Sequence, residues 1–299
     1  MIPGQFDYHA PTTVQEAVQL LQEHGDEAKV LAGGHSLVPL MRLRLAAPSV
    51  LVDINRIPEL RGINRTNGTV TIGATTTHAT IERSEVLKRV LPMLPAAATV
   101  IGDPMVRNRG TFGGSLAHAD PAGDWPAVAL ALNAEMRIVG PDGERTVPAG
   151  EFFVDLLTSA VEPGELLTHV SIPVPGGNVG MSYQKFGHPA SGYAVTGVAA
   201  IVTLYENNYC LDCSIAITGA GTKATRATET ENALRNQTLD EATMAQAAEQ
   251  AGTGIDFLGD IYASEEYRQQ LVKVYTKRAL LAALHAANEG QSAEAQKTL

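Results

Sequence analysis

Two short glycine-rich stretches carry the residues best suited to hold an anion. The first, Ala32-Gly33-Gly34-His35-Ser36, follows the apolar pair Val30-Leu31 and precedes Leu37-Val38-Pro39-Leu40-Met41. The second, Arg109-Gly110-Thr111-Phe112-Gly113-Gly114-Ser115, sets three glycines beside two hydroxyls. Glycine takes backbone conformations that a Cβ forbids and lets the chain approach another molecule closely. Successive N–H groups in such turns form a concave anion site. Two phosphate-sized nests in one chain match the two phosphates of a pyrophosphate. Neither stretch is a P-loop, and neither has the G-x-G-x-x-G spacing of a dinucleotide-binding βαβ unit. The plainer alternative for the second is a tight turn into a buried helix. Asp124-Trp125-Pro126 supports that helix, with Asp124 as N-cap, proline near its first turn and an apolar run over 127–132.

Other residues are weaker candidates. Gly219-Ala220-Gly221-Thr222-Lys223-Ala224 fits G-x-G-x-x-A, yet the acids about 20 residues on, Asp240 and Glu241, begin a helix rather than end a parallel strand. It reads as a structural turn. His35, His78 and His118 share no metal-ligand spacing and read as hydrogen-bonded loop histidines. Cys210 and Cys213 are the two cysteines, and in a strand they point to opposite faces, which makes them structural. Zinc needs four ligands and an iron–sulfur cluster four thiolates, so the chain has no cluster of its own to offer.

Composition narrows the partners. The 299 residues suggest roughly two domains, and 44% hydrophobic against 18% charged residues supports a sizeable core. A net charge of −10 argues against nucleic acid, which needs a basic face. It also means that no overall field draws in a pyrophosphate. Local N–H donors, each worth about 1.5–3 kcal/mol toward a charged acceptor, must hold it. No apolar run approaches the ~20 residues of a membrane span, and Met1-Ile2-Pro3-Gly4 lacks the form of a secretory signal. A reducing, cytoplasmic compartment is expected.

The elements that position these stretches are legible in outline. Residues 1–54 read as a small α/β unit: a helix with apolar positions 14, 17, 18, 20 and 21, ended by Gly25, then strands at Val30-Leu31 and 50–53. Residues 55–175 read as a second α/β unit. It has an Asn67-Gly68 hairpin, a helix capped by Thr75-Thr76-Thr77, helical 92–101, a hairpin turning at Asp142-Gly143, and a closing strand over 165–173. Pro173-Val174-Pro175-Gly176-Gly177 marks a boundary. Residues 178–288 read as an antiparallel sheet with helices, the last with a buried stripe of Tyr267, Leu271, Val274, Leu281 and Leu284, and 290–299 as a frayed tail.

Ala32-Gly33-Gly34-His35-Ser36, Thr71-Ile72-Gly73-Ala74-Thr75-Thr76-Thr77-His78 and Arg109-Gly110-Thr111-Phe112-Gly113-Gly114-Ser115 together resemble, in order and spacing, three signatures of one subunit type. It is the medium, FAD-binding subunit of the molybdenum hydroxylases, the group of carbon monoxide dehydrogenase and xanthine dehydrogenase. The resemblance runs nearly end to end. Phe112 stands where isoleucine is common, Ser115 where asparagine is frequent, and Gly192 where aspartate often precedes the tyrosine.

That resemblance implies an α+β chain: a two-part α/β FAD-binding domain of the PCMH type, then a C-terminal domain of antiparallel sheet plus helices. It implies non-covalent FAD contacted by Ala32, Gly33, Gly34, His35 and Ser36, with Leu31, Leu37 and Val38 flanking, and by Thr111, Phe112, Gly113, Gly114 and Ser115. Ile101 and Leu167 match apolar cofactor contacts, Asp124 an acidic one, Lys185 a nearby lysine and Tyr193 a tyrosine at the flavin ring. It implies partners as well: a small iron–sulfur subunit carrying 2Fe-2S clusters and a large molybdopterin subunit, in a dimer of heterotrimers. No residue of this chain then needs to be catalytic. Two other readings stay open from the residues alone. One is a standalone FAD-dependent reductase of related fold, which needs an acid/base pair near the flavin; the other is a non-catalytic nucleotide-binding protein.

Overall fold

The computed structural model describes residues 2–297. The chain begins with β1 (Asp7–His9), α1 (Val14–His24), β2 (Ala28–Leu31), α2 (Leu37–Leu43) and β3 (Val50–Asp53). The three strands form a parallel sheet in the order β1-β3-β2. Helix α1 starts because Thr13 caps it: its hydroxyl accepts from the Glu16 N–H, and the Glu16 carboxylate returns the bond. It stops at Gly25, whose φ is 50°. Its buried face, Val14, Ala17, Val18 and Leu21, has the helical spacing read from the sequence.

A hairpin of β4 (Ile63–Thr66) and β5 (Thr69–Gly73) follows, turning through left-handed Asn67 and Gly68. Six helices come next: α3 (His78–Arg83), α4 (Glu85–Val90), α5 (Met93–Thr99), α6 (Pro104–Arg109), α7 (Phe112–His118) and α8 (Asp124–Ala131). Then β6 (Glu135–Gly140), β7 (Gly143–Pro148), α9 (Ala149–Phe152), β8 (Phe153–Asp155), β9 (Thr158–Ser159) and β10 (Leu166–Pro173) complete this part. Its five-stranded sheet runs β4-β5-β10-β6-β7, antiparallel throughout. Trp125 and Phe112, both fully buried, meet edge-on at 4.9 Å beneath it, worth about 0.5–1.5 kcal/mol beyond their burial.

The last part is a sheet of β11 (Asn178–Gly187), β12 (Ala194–Leu204), β13 (Cys210–Thr218) and β14 (Thr225–Arg226), antiparallel in that order. Helices α10 (Thr228–Leu234), α11 (Glu241–Ala248) and α12 (Glu265–Lys297) follow it. One face of the sheet joins the core built on α8, and the other is covered by α10, α11 and α12. The Gly219-Ala220-Gly221 segment is a turn: the Gly219 N–H donates to Pro121 O at 2.7 Å, and Arg268 of α12 donates to Gly219 O.

Three features differ from the sequence reading. The buried stripe of α12 is Leu271, Val272, Thr276, Ala279, Leu280, Ala283 and Ala287, while Tyr267 is exposed. Close approach explains it: a Cβ on Gly180 of β11 would lie 1.8 Å from Ala283 O, so the helix presents small residues where it crosses. The helix also continues to Lys297 through the expected tail, whose last two residues lie outside the described residues. Finally, Cys210 and Cys213 face the same side. A bulge sets Leu204 opposite Cys210 and Val202 opposite Cys213, so the extra residue brings both thiols to the buried face, where Cys210 donates to Asp212 O and Cys213 to Glu231 O, each at 3.5 Å.

Candidate functional site

A cleft of about 640 Å³, within the range of cofactor sites, runs between the loop after β2 and the segments around α7 and β9. Its walls include Ala32, Gly33, Gly34, His35, Ser36 and Leu37 on one side and Thr111, Gly114, Ser115 and Asp124 on the other. Ile101 and Tyr193 line it too, the latter from the loop before β12. Three stretches far apart in sequence therefore meet in one place.

The two glycine stretches touch. A Cβ on Gly33 would lie 2.5 Å from Arg109 O, 2.8 Å from the Gly110 Cα and 3.0 Å from the Thr111 N. Only glycine allows this contact, and it fixes the width of the cleft at its centre. Gly34 has φ +74°, the left-handed turn that sends the chain from β2 into α2.

The two stretches differ as donors. Among the described residues, the N–H groups of Gly33, Gly34, His35 and Ser36 have no hydrogen-bond acceptor. Those of residues 112–115 in the second stretch are occupied, whereas the Thr111 N–H has no acceptor among the described residues. Phe112 N–H donates to Thr76 O, Gly113 N–H to Ala74 O, Gly114 N–H to the Thr111 hydroxyl and Ser115 N–H to Thr111 O. The reason is that 112–118 is a helix capped by Thr111, not an open turn, and its first turn is sewn to the 74–76 segment. The sequence suggested two equivalent nests; the fold makes one open nest and one packed wall.

The expected contacts divide accordingly. Phe112 and Leu167 point into the core and Gly113 packs against Ala74, where a Cβ would sit 2.4 Å from the alanine methyl. Leu31 and Val38 lie beneath Gly34, each 3.3 Å from where a Cβ would be, and support the nest without lining the cleft. Asp124 is not a helix cap: Gly123 holds that position, and the carboxylate turns inward. It accepts from the Tyr183 hydroxyl at 2.7 Å and from the Lys185 Nζ at 2.9 Å. Lys185 also donates to Val100 O and anchors the far wall from behind. Burial pushes the Asp124 carboxyl up, while Lys185 and the Tyr183 hydroxyl oppose this. Gly197 makes room for the Tyr183 hydroxyl, since a Cβ there would come within 2.3 Å of it.

Tyr193 closes one end. Burial and the Asp120 charge push its hydroxyl up, and the neighbouring Ser36 opposes them, so this side chain lies beside the open nest. Gly192 has φ +72° and stacks the loop over Gly102. His35 holds its ring against the nest through Nδ1 and Gly33 O, 3.1 Å apart. Sequence reasoning did not select His78, Gly102, Val106 or the 157–165 wall. For the wall there was no signal, because it is an irregular segment brought in by the β8–β9 pair. His78 stood beside the Thr75-Thr76-Thr77 signature and was read as an ordinary loop histidine.

Residues 4–175 match the family described as FAD binding domain in molybdopterin dehydrogenase, and residues 181–283 match the CO dehydrogenase flavoprotein C-terminal domain. The chain is 42% identical to the 6-hydroxypseudooxynicotine dehydrogenase complex subunit alpha of Paenarthrobacter nicotinovorans, over 96% of this chain and 97% of that one. It is 39% identical to the carbon monoxide dehydrogenase medium chain of Hydrogenophaga pseudoflava, over 95% and 98%. A solved structure of carbon monoxide dehydrogenase from the latter organism superposes with a TM-score of 0.93 at 40% identity, covering 96% of this chain and 99% of that one. With both domains matched and relatives aligned along their whole lengths, the chain belongs to the FAD-binding medium subunits of the molybdenum hydroxylases.

Proposed function

We propose that FAD lies along this cleft with its pyrophosphate on the open amides of residues 33–36 and its flavin toward Ile101 and Tyr193. The observation that carries this is the row of unpaired N–H groups at Gly33, Gly34, His35 and Ser36, facing Thr111 and Ser115 across a cleft closed by Tyr193. In a chain of net charge −10, such donors supply the local attraction that the overall field denies. Bound FAD would supply the redox chemistry of the subunit. The chain's own work is to bind, orient and shield it: amides for the phosphates, Ser36, Thr111 and Ser115 hydroxyls for neighbouring oxygens, and Tyr193 over the exposed edge.

On this reading, 1–54 and 55–175 are the two halves of the FAD-binding domain, and 178–288 is the domain that brings Tyr193 and Lys185 to it. Electrons reach the flavin from the 2Fe-2S clusters of a small subunit, after oxidation of a substrate at a large molybdopterin subunit, in a cytoplasmic dimer of heterotrimers. The chain names of the relatives, a medium chain and a complex subunit, support a multi-subunit assembly. No helix among the described residues is long and apolar enough to cross a membrane. Co-purification from the native source, followed by metal and flavin analysis, tests the proposal. Iron and molybdenum should travel with this chain. A fully active enzyme containing only this polypeptide and FAD would overturn it.

A further inference from the structure

His78 is a buried polar side chain of the cleft that the cofactor reading leaves without a task. It sits at the start of α3, is only 5% exposed, and lines the cleft below the point where Gly33 meets Gly110. The buried Trp125 indole N–H donates to its Nδ1 at 3.1 Å. An indole nitrogen only donates, so Nδ1 must accept, and the ring hydrogen of neutral His78 resides on Nε2. That Nε2 has no hydrogen-bond partner among the described residues, yet it is not sealed off as an orphaned buried atom. Gly110 leaves its approach open, since a Cβ there would lie 2.7 Å from Nε2.

We propose that His78 is a cofactor-binding residue whose Nε2–H donates to a phosphate oxygen of the dinucleotide at the seam between the two glycine stretches, with Trp125 as the positioning residue that fixes its tautomer. The inference rests on the proposed placement of FAD. Three observations converge on it. The amides of residues 112–115 are already bonded within the protein, which leaves that side of the cleft short of donors. The ring borders Gly110, which borders Gly33, the first of the open amides. The donor is held in one orientation before anything binds, which spares the ordering cost that a free side chain would incur. Burial, with the nearby His35 and Arg107 charges, keeps the ring neutral around pH 7. It acts therefore as a directed, neutral donor.

The test compares His78→Leu with His78→Gln in the full chain, titrated with FAD and separately with ADP, which carries the pyrophosphate without the flavin. Glutamine keeps an N–H donor of similar reach, whereas both variants lose the ring's packing. Loss of one hydrogen bond to a charged acceptor should weaken both ligands about 10- to 100-fold in His78→Leu, with His78→Gln recovering most of it. Equal losses in the two variants would assign His78 to packing and overturn the proposal. So would binding by His78→Leu within about twofold of the wild type. Where His78→Leu fails to fold, wild-type protein labelled with 15N-histidine gives the answer: ADP should shift the His78 Nε2 resonance, and an unmoved resonance rejects the contact. Failure of the wild type to bind FAD at all would be a different result, against the cofactor placement itself.

Discussion

Adding one methyl group at Gly33 strikes the contact that sets the width of the cleft. The new Cβ would lie 2.5 Å from Arg109 O and 2.8 Å from the Gly110 Cα. An ordinary contact is about 3.5 Å, so the two stretches must separate by about 1 Å. Both partners are backbone, and no side chain can rotate away. Gly33 does not have a positive φ, so alanine meets no local conformational strain there. The cost in stability is that of overpacking, about 1–3 kcal/mol. The cost in binding is larger. Misplacing two amide donors, each worth about 1.5–3 kcal/mol toward phosphate, should raise the FAD dissociation constant by about 10²- to 10⁴-fold. Flavin fluorescence titration measures the affinity, and a urea melt of the same protein measures the fold. A Gly33→Ala variant that melts like the wild type and holds FAD as tightly would refute the reasoning from nest contact to cofactor site.

Lys185→Met should destabilise the chain by about 3–5 kcal/mol, because the ammonium and the Asp124 carboxylate are both only 6% exposed and the carboxylate would be left without its cation. Replacing both partners with apolar residues should cost less than removing Lys185 alone, which urea midpoints will show. Acid should act through His78, whose ring burial pushes down to about 4, with the His35 and Arg107 charges adding to it. From about pH 6.5 downward the unfolded chain takes up a proton that the folded chain refuses until about pH 4, so stability falls across that window, by about 3 kcal/mol in all. Urea midpoints at pH 7 and 4.5 should fall further in the wild type than in His78→Gln, and equal falls would exclude this histidine as the cause.

The elements written in local chemistry were legible in the sequence. Thr13 with Glu16, the Asn67-Gly68 turn and Thr77 before α3 each state their structure within four residues, and the fold follows them. What the sequence hid is set by contacts distant along the chain. Asp124 looks like a helix cap until Tyr183 and Lys185 arrive from a strand 59 and 61 residues on. Thr111-Phe112-Gly113-Gly114 looks like an open nest until Thr76 and Ala74 claim the Phe112 and Gly113 amides. The same glycines serve opposite purposes: Gly33 admits a neighbouring backbone, whereas Gly113 fills a core contact. Cys210 and Cys213 were placed by ideal strand alternation, and one bulge reversed the answer. Large residues alone do not mark the buried stripe of α12, because the crossing at Gly180 selects small ones.

The flavin content of the purified chain bears most directly on the central claim. Acid precipitation followed by chromatography of the supernatant should recover FAD, rather than FMN or riboflavin, at close to one equivalent per chain, with no colour left in the pellet. Protein that folds and carries no FAD, takes up none when it is supplied with its partner subunits, or keeps the colour in the pellet would contradict the account.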